Sequence, residues 1–349
     1  MSMNGIVDIN QGQLINTMGA AHKLNRPLMV WGSPGIGKSD IAKTFAERIG
    51  AVLCDIRLGQ YDSVDLRGLP DASTDGNMTV WLAPSTLPFK NNPDWPDDQP
   101  IVLFLDEAMQ AAPAVQSVAF QLVLDRRVGE HELRDNVWII AASNRETDRA
   151  GVNKMLSPLA NRFMHVQLNP TLDGWKDWAY QAGIHEIPMA YLNTRPDFLD
   201  HFEAAQKSSM KAFPTPRAWA AVSAIFHEYG NDPAMLDILV SATVGTGVAA
   251  ELLQFARMAH KLPTLQDVVD DPTGVTVPSA NDERYCMCTM LAYRCTPETG
   301  EQVIAYVKRF DQQYQVLFMA DYTRRAPMDV INSESMLAYQ TELHGVIYG

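Results

Sequence analysis

Trp31-Gly32-Ser33-Pro34-Gly35-Ile36-Gly37-Lys38-Ser39 fits the pattern GxxxxGK[ST]. It lies between an apolar run, PLMVW from Pro27, and a helical one, DIAKTFAERIG from Asp40. A strand before such a loop and a helix after it are the setting in which the pattern holds phosphate. Glycines let the backbone wrap an anionic chain with its N–H groups turned inward, and the following helix N-terminus adds its dipole. In that geometry Gly32, Ser33, Pro34, Gly35, Ile36 and Gly37 cradle the phosphates, Lys38 reaches the β/γ oxygens, and Ser39 holds Mg²⁺. The stretch predicts a chain organised around a nucleotide.

Before the loop, Leu14, Ile15, Met18 and Ala21 recur at helical spacing, and Asn25-Arg26-Pro27 stops that helix ahead of a first strand, Leu28–Trp31. After the loop, residues 39–49 read as an amphipathic helix closed by Gly50. AVLCDIRL, from Ala51, reads as a second strand, its apolar start suiting a parallel sheet buried on both faces. The alternation of strand and helix then breaks. Residues 59–88 carry a turn signal at Asp75-Gly76 and period-two alternation over residues 78–82, which predicts a hairpin-bearing insertion. The plainer alternative is a surface loop covering the helix beneath.

IVLFLDEA, from Ile101, is an apolar run ending in two acids, so Asp106 and Glu107 emerge at the carboxyl edge of a parallel strand, where open α/β sheets bind ligands. Downstream of a phosphate loop that pair suits phosphoryl transfer: Asp106 orders the Mg²⁺ shell and Glu107 polarises the attacking water. VWIIAASN, from Val137, ends in Asn144, a neutral amide able to orient that water, or simply to cap a turn. LSPLANRFMHVQL, from Leu156, then supplies a short helix, Arg162 and a last core strand, closing the domain near Pro170.

From Thr171 the pattern turns helical. PTPRAWAAVSAIFHEYG, from Pro214, starts with prolines and holds Arg217 in its first turn. A helix N-terminus already carries partial positive charge, so an arginine there points to an anionic neighbour, or else to an ordinary surface arginine. Helices over residues 234–243 and 246–260 follow, then an Asp/Pro/Thr-rich loop to about Pro278 and a helical tail. The tail's stripes of Tyr, Phe, Leu and Met read as core. Large aromatics on a projecting hairpin suit contact with a partner, though Trp81 could equally pack on its own domain.

With 349 residues, 46% hydrophobic and 20% charged, the chain can bury a large core split over two or three domains. A net charge of −13 argues against a large phosphate-backbone footprint and makes protein the better partner class. No apolar stretch is long enough to span a bilayer, and MSMNGIVDINQGQ lacks a secretory pattern, so a cytoplasmic protein is expected. Cys54, Cys286, Cys288 and Cys295 form no paired framework and read as reduced core thiols rather than a metal site.

Taken in order, the phosphate loop, the hairpin insertion, FLDEA, AASN, NRF and PTPRA resemble the MoxR family of AAA+ ATPases, relatives of the dynein and midasin modules. The likeness runs over roughly residues 25–260. It implies an α/β P-loop NTPase sheet sandwiched by helices (residues 1–170), a small α-helical lid (171–262), and ATP with Mg²⁺ bound between them in a ring, usually a hexamer. Residues 263–349 would be a helical C-terminal extension outside the likeness. By the same resemblance Gly32 to Ser39 are Walker A, Asp106 and Glu107 Walker B, Asn144 sensor 1 and Arg217 sensor 2. Arg162 resembles the arginine finger that reaches a neighbouring subunit's γ-phosphate, with Arg145 and Arg149 as rivals. ASNRETDRAG departs from the more usual Asn-Pro turn after sensor 1, which leaves that choice open. The family's members are chaperone-like and act with von Willebrand factor A-type partners on protein complexes. The expectation is therefore an ATP-hydrolysing, protein-remodelling ring subunit. A nucleic-acid motor or loader, and a nucleotide-gated binding module with little turnover, are the alternatives.

Overall fold

The computed structural model describes residues 5–73, 76–148, 155, 160–325 and 334–348. They belong to two compact units, Met1–Pro170 and Thr171–Gly349.

The first unit opens with β1 (Val7–Ile9), α1 (Gln11–Lys23), β2 (Leu28–Trp31), α2 (Lys38–Arg48) and β3 (Val52–Arg57). A short helix α3 (Ser63–Arg67) and a hairpin, β4 (Leu69–Ala72) with β5 (Thr79–Leu82), come next. Then follow β6 (Ile101–Asp106), α4 (Pro113–Asp125), a small hairpin of β7 (Arg127–Val128) and β8 (His131–Glu132), β9 (Val137–Ser143) and β10 (Met164–Leu168). Six of these strands form one parallel sheet in the order β1-β10-β2-β9-β6-β3.

Every residue of β2 and β9 is buried, as a parallel sheet covered on both faces requires. Successive side chains of a strand point to opposite faces. Leu28 and Val30 accordingly join one core with Leu14 and Met18 of α1 and Phe45 of α2. Met29 and Trp31 join the other, with Val115, Val118 and Leu122 of α4. One four-residue strand thus ties both helical layers together.

Local chemistry sets the helix ends. Asn10 Oδ1 accepts from Gln13 N–H and Gln13 Oε1 from Asn10 N–H, a reciprocal cap on α1. At the end of α4, Arg126 turns left-handed (φ 53°), and its Nη2 donates to the carbonyls of Arg134 and Val137 at 2.9 Å, fastening the β7–β8 hairpin to β9.

Two expectations change here. β3 is the outer strand, paired with β6 alone, and its burial alternates instead of covering both faces, with Asp55 and Arg57 exposed. β1 was not anticipated: it is three residues long, at the opposite edge, with Val7 62% exposed, too short for a periodic signal. The expected hairpin insertion is β4–β5, though Asp75 of its turn signal lies outside the described residues.

The second unit is helical. Helices Leu172–Gln181, Glu186–Thr194, Pro216–Tyr229, Pro233–Val244 and Thr246–Ala259 pack around Trp219, whose indole N–H donates to Phe198 O at 2.8 Å. A second apolar cluster gathers Asn281–Arg294, Gly300–Val307, Gln312–Arg325 and Glu334–Tyr348. The Asn281–Arg294 helix serves both: Cys286 and Met290 enter the first cluster, Met287, Cys288 and Leu291 the second. A short helix, Leu265–Asp270, stands where a loop was expected, started by a reciprocal Thr264/Asp267 cap. All four cysteines are free and buried, and burial pushes the Cys54 and Cys286 thiols up to about 12 and Cys295 to about 11, the behaviour of inert core thiols. No helix among the described residues is long and apolar enough to cross a membrane.

Candidate functional site

The loop of residues 32–37 leaves the carboxyl end of β2, in the middle of the sheet, where ligands of open α/β folds lie. Gly32 N–H donates to Ser143 O at 3.2 Å, which fixes the loop's first residue to β9. A Cβ at Gly32 would stand 3.0 Å from Leu168 O, backbone that would have to give way, and 2.5 Å from Ile36 Cδ1, the free end of a side chain that can turn aside. Gly35 and Gly37 have φ of 79° and 91°, a conformation that other residues adopt at a cost. No side chain caps α2. Its first N–H groups, with the helix dipole behind them, have the geometry that suits an anion.

Lys38, the first residue of α2, reaches back over the loop: Nζ donates to Gly32 O at 2.7 Å, Ser33 O at 2.9 Å and Asn144 Oδ1 at 3.1 Å. Ser39 Oγ donates to Asp106 Oδ2 at 2.7 Å. Asp106 Oδ1 accepts the N–H of Glu107 at 2.8 Å. Lys38, Ser39, Asp106 and Asn144 therefore meet at the ends of β2, β6 and β9, which lie side by side in the sheet.

Glu107 is exposed and left-handed, with φ of 55°. Its carboxylate lies over Gly59, in the short turn after β3, close enough that a Cβ on Gly59 would be 2.7 Å from Oε2. Negative charge gathers at this pole: partial desolvation, then the Asp106 carboxylate, hold Asp55 above the usual carboxylate range. Asp106 and Ser39 offer hard oxygen donors beside the anion site, a set that fits Mg²⁺.

Three residues outside the expected set support the site. Gln110 Oε1 accepts from Ser143 Oγ at 3.0 Å, bracing the loop after β6 against the end of β9. Gly59 makes room for Glu107. Asp148, 5% exposed, pairs with Arg145, and Arg145 bonds the phosphate loop. The spacing Arg-x-x-Asp in NRETD was the one sequence signal for that pair.

Arg162 is exposed in the turn before β10, and His165 Nε2 closes the start of that turn against Ala160 O at 2.8 Å. His165 Nδ1 accepts from the Trp31 indole at 3.1 Å, so the neutral ring carries its proton on Nε2. Arg217 is exposed at the second position of the Pro216–Tyr229 helix in the second unit, behind a Thr215 cap. Arg149 lies outside the described residues.

Residues 28–171 match the model of a family described as the ATPase family associated with various cellular activities (AAA), and this segment carries the AAA+ P-loop NTPase fold. No curated protein matches the chain. Among solved structures it is similar to the RuvB Holliday junction branch migration motor of Thermotoga maritima, at 15% identity over 70% of this chain and 67% of that one, with a TM-score of 0.38. It is similar also to NtrX of Brucella abortus in complex with ADP, at 16% identity over 96% and 68%, with a TM-score of 0.35. Likenesses at that level say nothing of what this chain acts on.

Proposed function

We propose that this chain hydrolyses ATP as an AAA+ subunit of a MoxR-like ring that remodels or activates a partner protein complex. The observation that carries the reading is the meeting of Lys38, the Ser39–Asp106 pair and Asn144 around one glycine-bound anion site, with Glu107 one residue beyond. Loop N–H groups and Lys38 hold the β- and γ-phosphates. Mg²⁺, when bound with the nucleotide, supplies charge neutralisation at the phosphate oxygens, and Ser39 with Asp106 would hold it. Glu107 accepts the proton that the attacking water gives up, Asn144 orients that water, and the negative charge that spreads over the γ-oxygens meets Lys38.

Such a site is completed in trans. We assign Arg162 the role of finger toward a neighbouring subunit and Arg217 that of a sensor in a lid formed by residues 171–262, in a homo-hexamer. The net charge of −13 favours a protein partner, a von Willebrand factor A-type protein being the class the sequence resemblance suggests, over a nucleic acid.

Lys38→Ala and Glu107→Gln separate ground-state from transition-state roles. Lys38→Ala is expected to lose ATP binding. Glu107→Gln is expected to bind ATP as the wild type does and to release phosphate at least about a hundredfold more slowly, the low end of what a positioned base contributes. Nucleotide titration and steady-state phosphate release check both, and equal loss of binding in the two variants would overturn the assignment.

A further inference from the structure

Asn144 is followed by a residue that the chemistry above does not use. Arg145 Nη2 donates to Ser33 Oγ of the phosphate loop at 2.7 Å, and its Nε donates to Asp148 Oδ1 at 2.9 Å. The Arg145 backbone N–H takes the other carboxylate oxygen, Oδ2, at 2.9 Å, and Asp148 N–H returns a bond to Arg145 O at 3.0 Å. Ser33 and Asp148 are each 5% exposed.

Ser33 is thus gripped on two sides. Lys38 Nζ holds its carbonyl at 2.9 Å and Arg145 its hydroxyl. Two consecutive residues at the end of β9, Asn144 and Arg145, therefore reach the loop, the first through Lys38 and the second directly. A carboxylate as buried as Asp148 needs a paired cation. An ion pair serving only its own turn, residues 145–148, would need no contact with Ser33, yet the same guanidinium extends to the loop.

We infer that Arg145, braced by Asp148, is a positioning residue of the nucleotide site acting within its own chain. It fixes the Ser33 hydroxyl and with it the first turn of the loop, so that the loop's N–H groups stand ready for phosphate. This rests on the ATPase reading and deepens it: the clamp acts on the shape of the loop, so it serves ADP and ATP alike, unlike a finger that meets the γ-phosphate of a neighbour.

A double-mutant cycle on the full chain tests it, with Mg·ADP and Mg·ATP titrations, phosphate release and a thermal melt for each protein. Arg145→Ala is expected to weaken both nucleotides by about tenfold, the worth of one charge-assisted hydrogen bond, with KM affected more than kcat. Ser33→Ala should lose less, and the double variant should bind no more weakly than Arg145→Ala, because both changes remove one bond. Asp148→Asn should fall between, and Arg145→Lys should recover part of the loss. If Arg145→Ala gives no cooperative melt, Arg145→Lys with Ser33→Ala runs the same cycle. Additive losses, loss of ATP binding with ADP binding intact, or wild-type affinity in Arg145→Ala would each overturn the clamp alone. A wild-type chain that binds neither nucleotide would overturn the ATPase reading, and the clamp with it.

Discussion

At the scale of single residues, the site divides into groups whose partners are near in pattern and groups whose partners are near only in space. Lys38 and Ser39 were legible because one loop must present glycines, a cation and a hydroxyl at fixed spacing. Asp106 and Asn144 were legible because each ends an apolar run. Gly59 was not, since nothing around it announces that a carboxylate 48 positions later will lie over it. That contact has a consequence. Gly59→Ala would push a Cβ to within 2.7 Å of Glu107 Oε2, the free end of a flexible side chain, so the carboxylate moves and the fold does not. Phosphate release is expected to fall by about tenfold, a fraction of what a general base contributes, with the melting temperature and ATP affinity close to wild type. Unchanged turnover would mean that the seat over Gly59 plays no part in catalysis.

At the scale of elements, periodicity worked where a strand is buried on both faces and failed at edges and short pieces. β6 and β9 stand where their apolar runs stand. Val52, Leu53 and Cys54, apolar in a row, suggest that β3 is covered on both faces, whereas the alternation sits further on, where Asp55 and Arg57 are exposed and Cys54 and Ile56 are buried. The Leu265–Asp270 helix hid in a loop-like composition, although Thr264 followed three residues later by Asp267 is a start signal. The β4–β5 hairpin was legible from the period-two alternation over Met78-Thr79-Val80-Trp81-Leu82, but its surroundings were not. Among the described residues its strands pair only with each other, and the cross-strand neighbours Leu69 and Leu82 are 61% and 56% exposed. Leu69→Ser with Leu82→Ser is therefore expected to change stability by no more than about 0.5 kcal/mol per site, read by urea denaturation. A larger loss would show that the hairpin packs on the rest of its unit in solution.

At the scale of the whole molecule, residues 263–349 are built into the second unit rather than appended to it. Lys176 Nζ, 3% exposed, donates to Asp321 Oδ1 at 2.9 Å, and Asn193 donates to Asp321 Oδ2 at 3.0 Å and to Thr289 Oγ1 at 2.7 Å. Lys176 and Asn193, from residues 171–262, thus satisfy the buried Asp321 carboxylate of the tail, and Asn193 reaches Thr289 of the tail as well. None of this was legible, because an Asp or a Lys in a helical pattern looks the same buried or solvated. Asp321→Ala leaves Lys176 charged and buried without its partner, and is expected to cost about 3–5 kcal/mol, seen as a large drop in melting temperature. Lys176→Met with Asp321→Leu should recover most of it, since a buried ion pair contributes little over well-packed apolar groups. A melting temperature within a degree or two of wild type for Asp321→Ala would mean the pair is solvated.

Assembly belongs to the same scale, and the two arginines now separate it from the chemistry of one chain. Arg145 is tied to Ser33 and Asp148 of its own unit, whereas Arg162 is exposed in the turn before β10. A finger must be free to meet a neighbour's nucleotide, and a cation arriving at the γ-phosphoryl oxygens in the transition state contributes about 10³–10⁵ in rate. If Arg162 has that role, one subunit alone hydrolyses ATP poorly, activity per chain rises with protein concentration, and Arg162→Ala assemblies bind ATP but turn it over slowly. Mixing Arg162→Ala chains with Glu107→Gln chains is the decisive measurement. Each homogeneous assembly lacks one half of every site, but in the mixture an Arg162→Ala chain keeps its Glu107 and meets the Arg162 of a Glu107→Gln neighbour. Phosphate release should then recover in the mixture. The same mixing with Arg145→Ala in place of Arg162→Ala should recover nothing, because a clamp on the chain's own loop has no substitute next door. Recovery with Arg145→Ala would reverse the two roles, and concentration-independent turnover by a monomer would remove the ring from the mechanism.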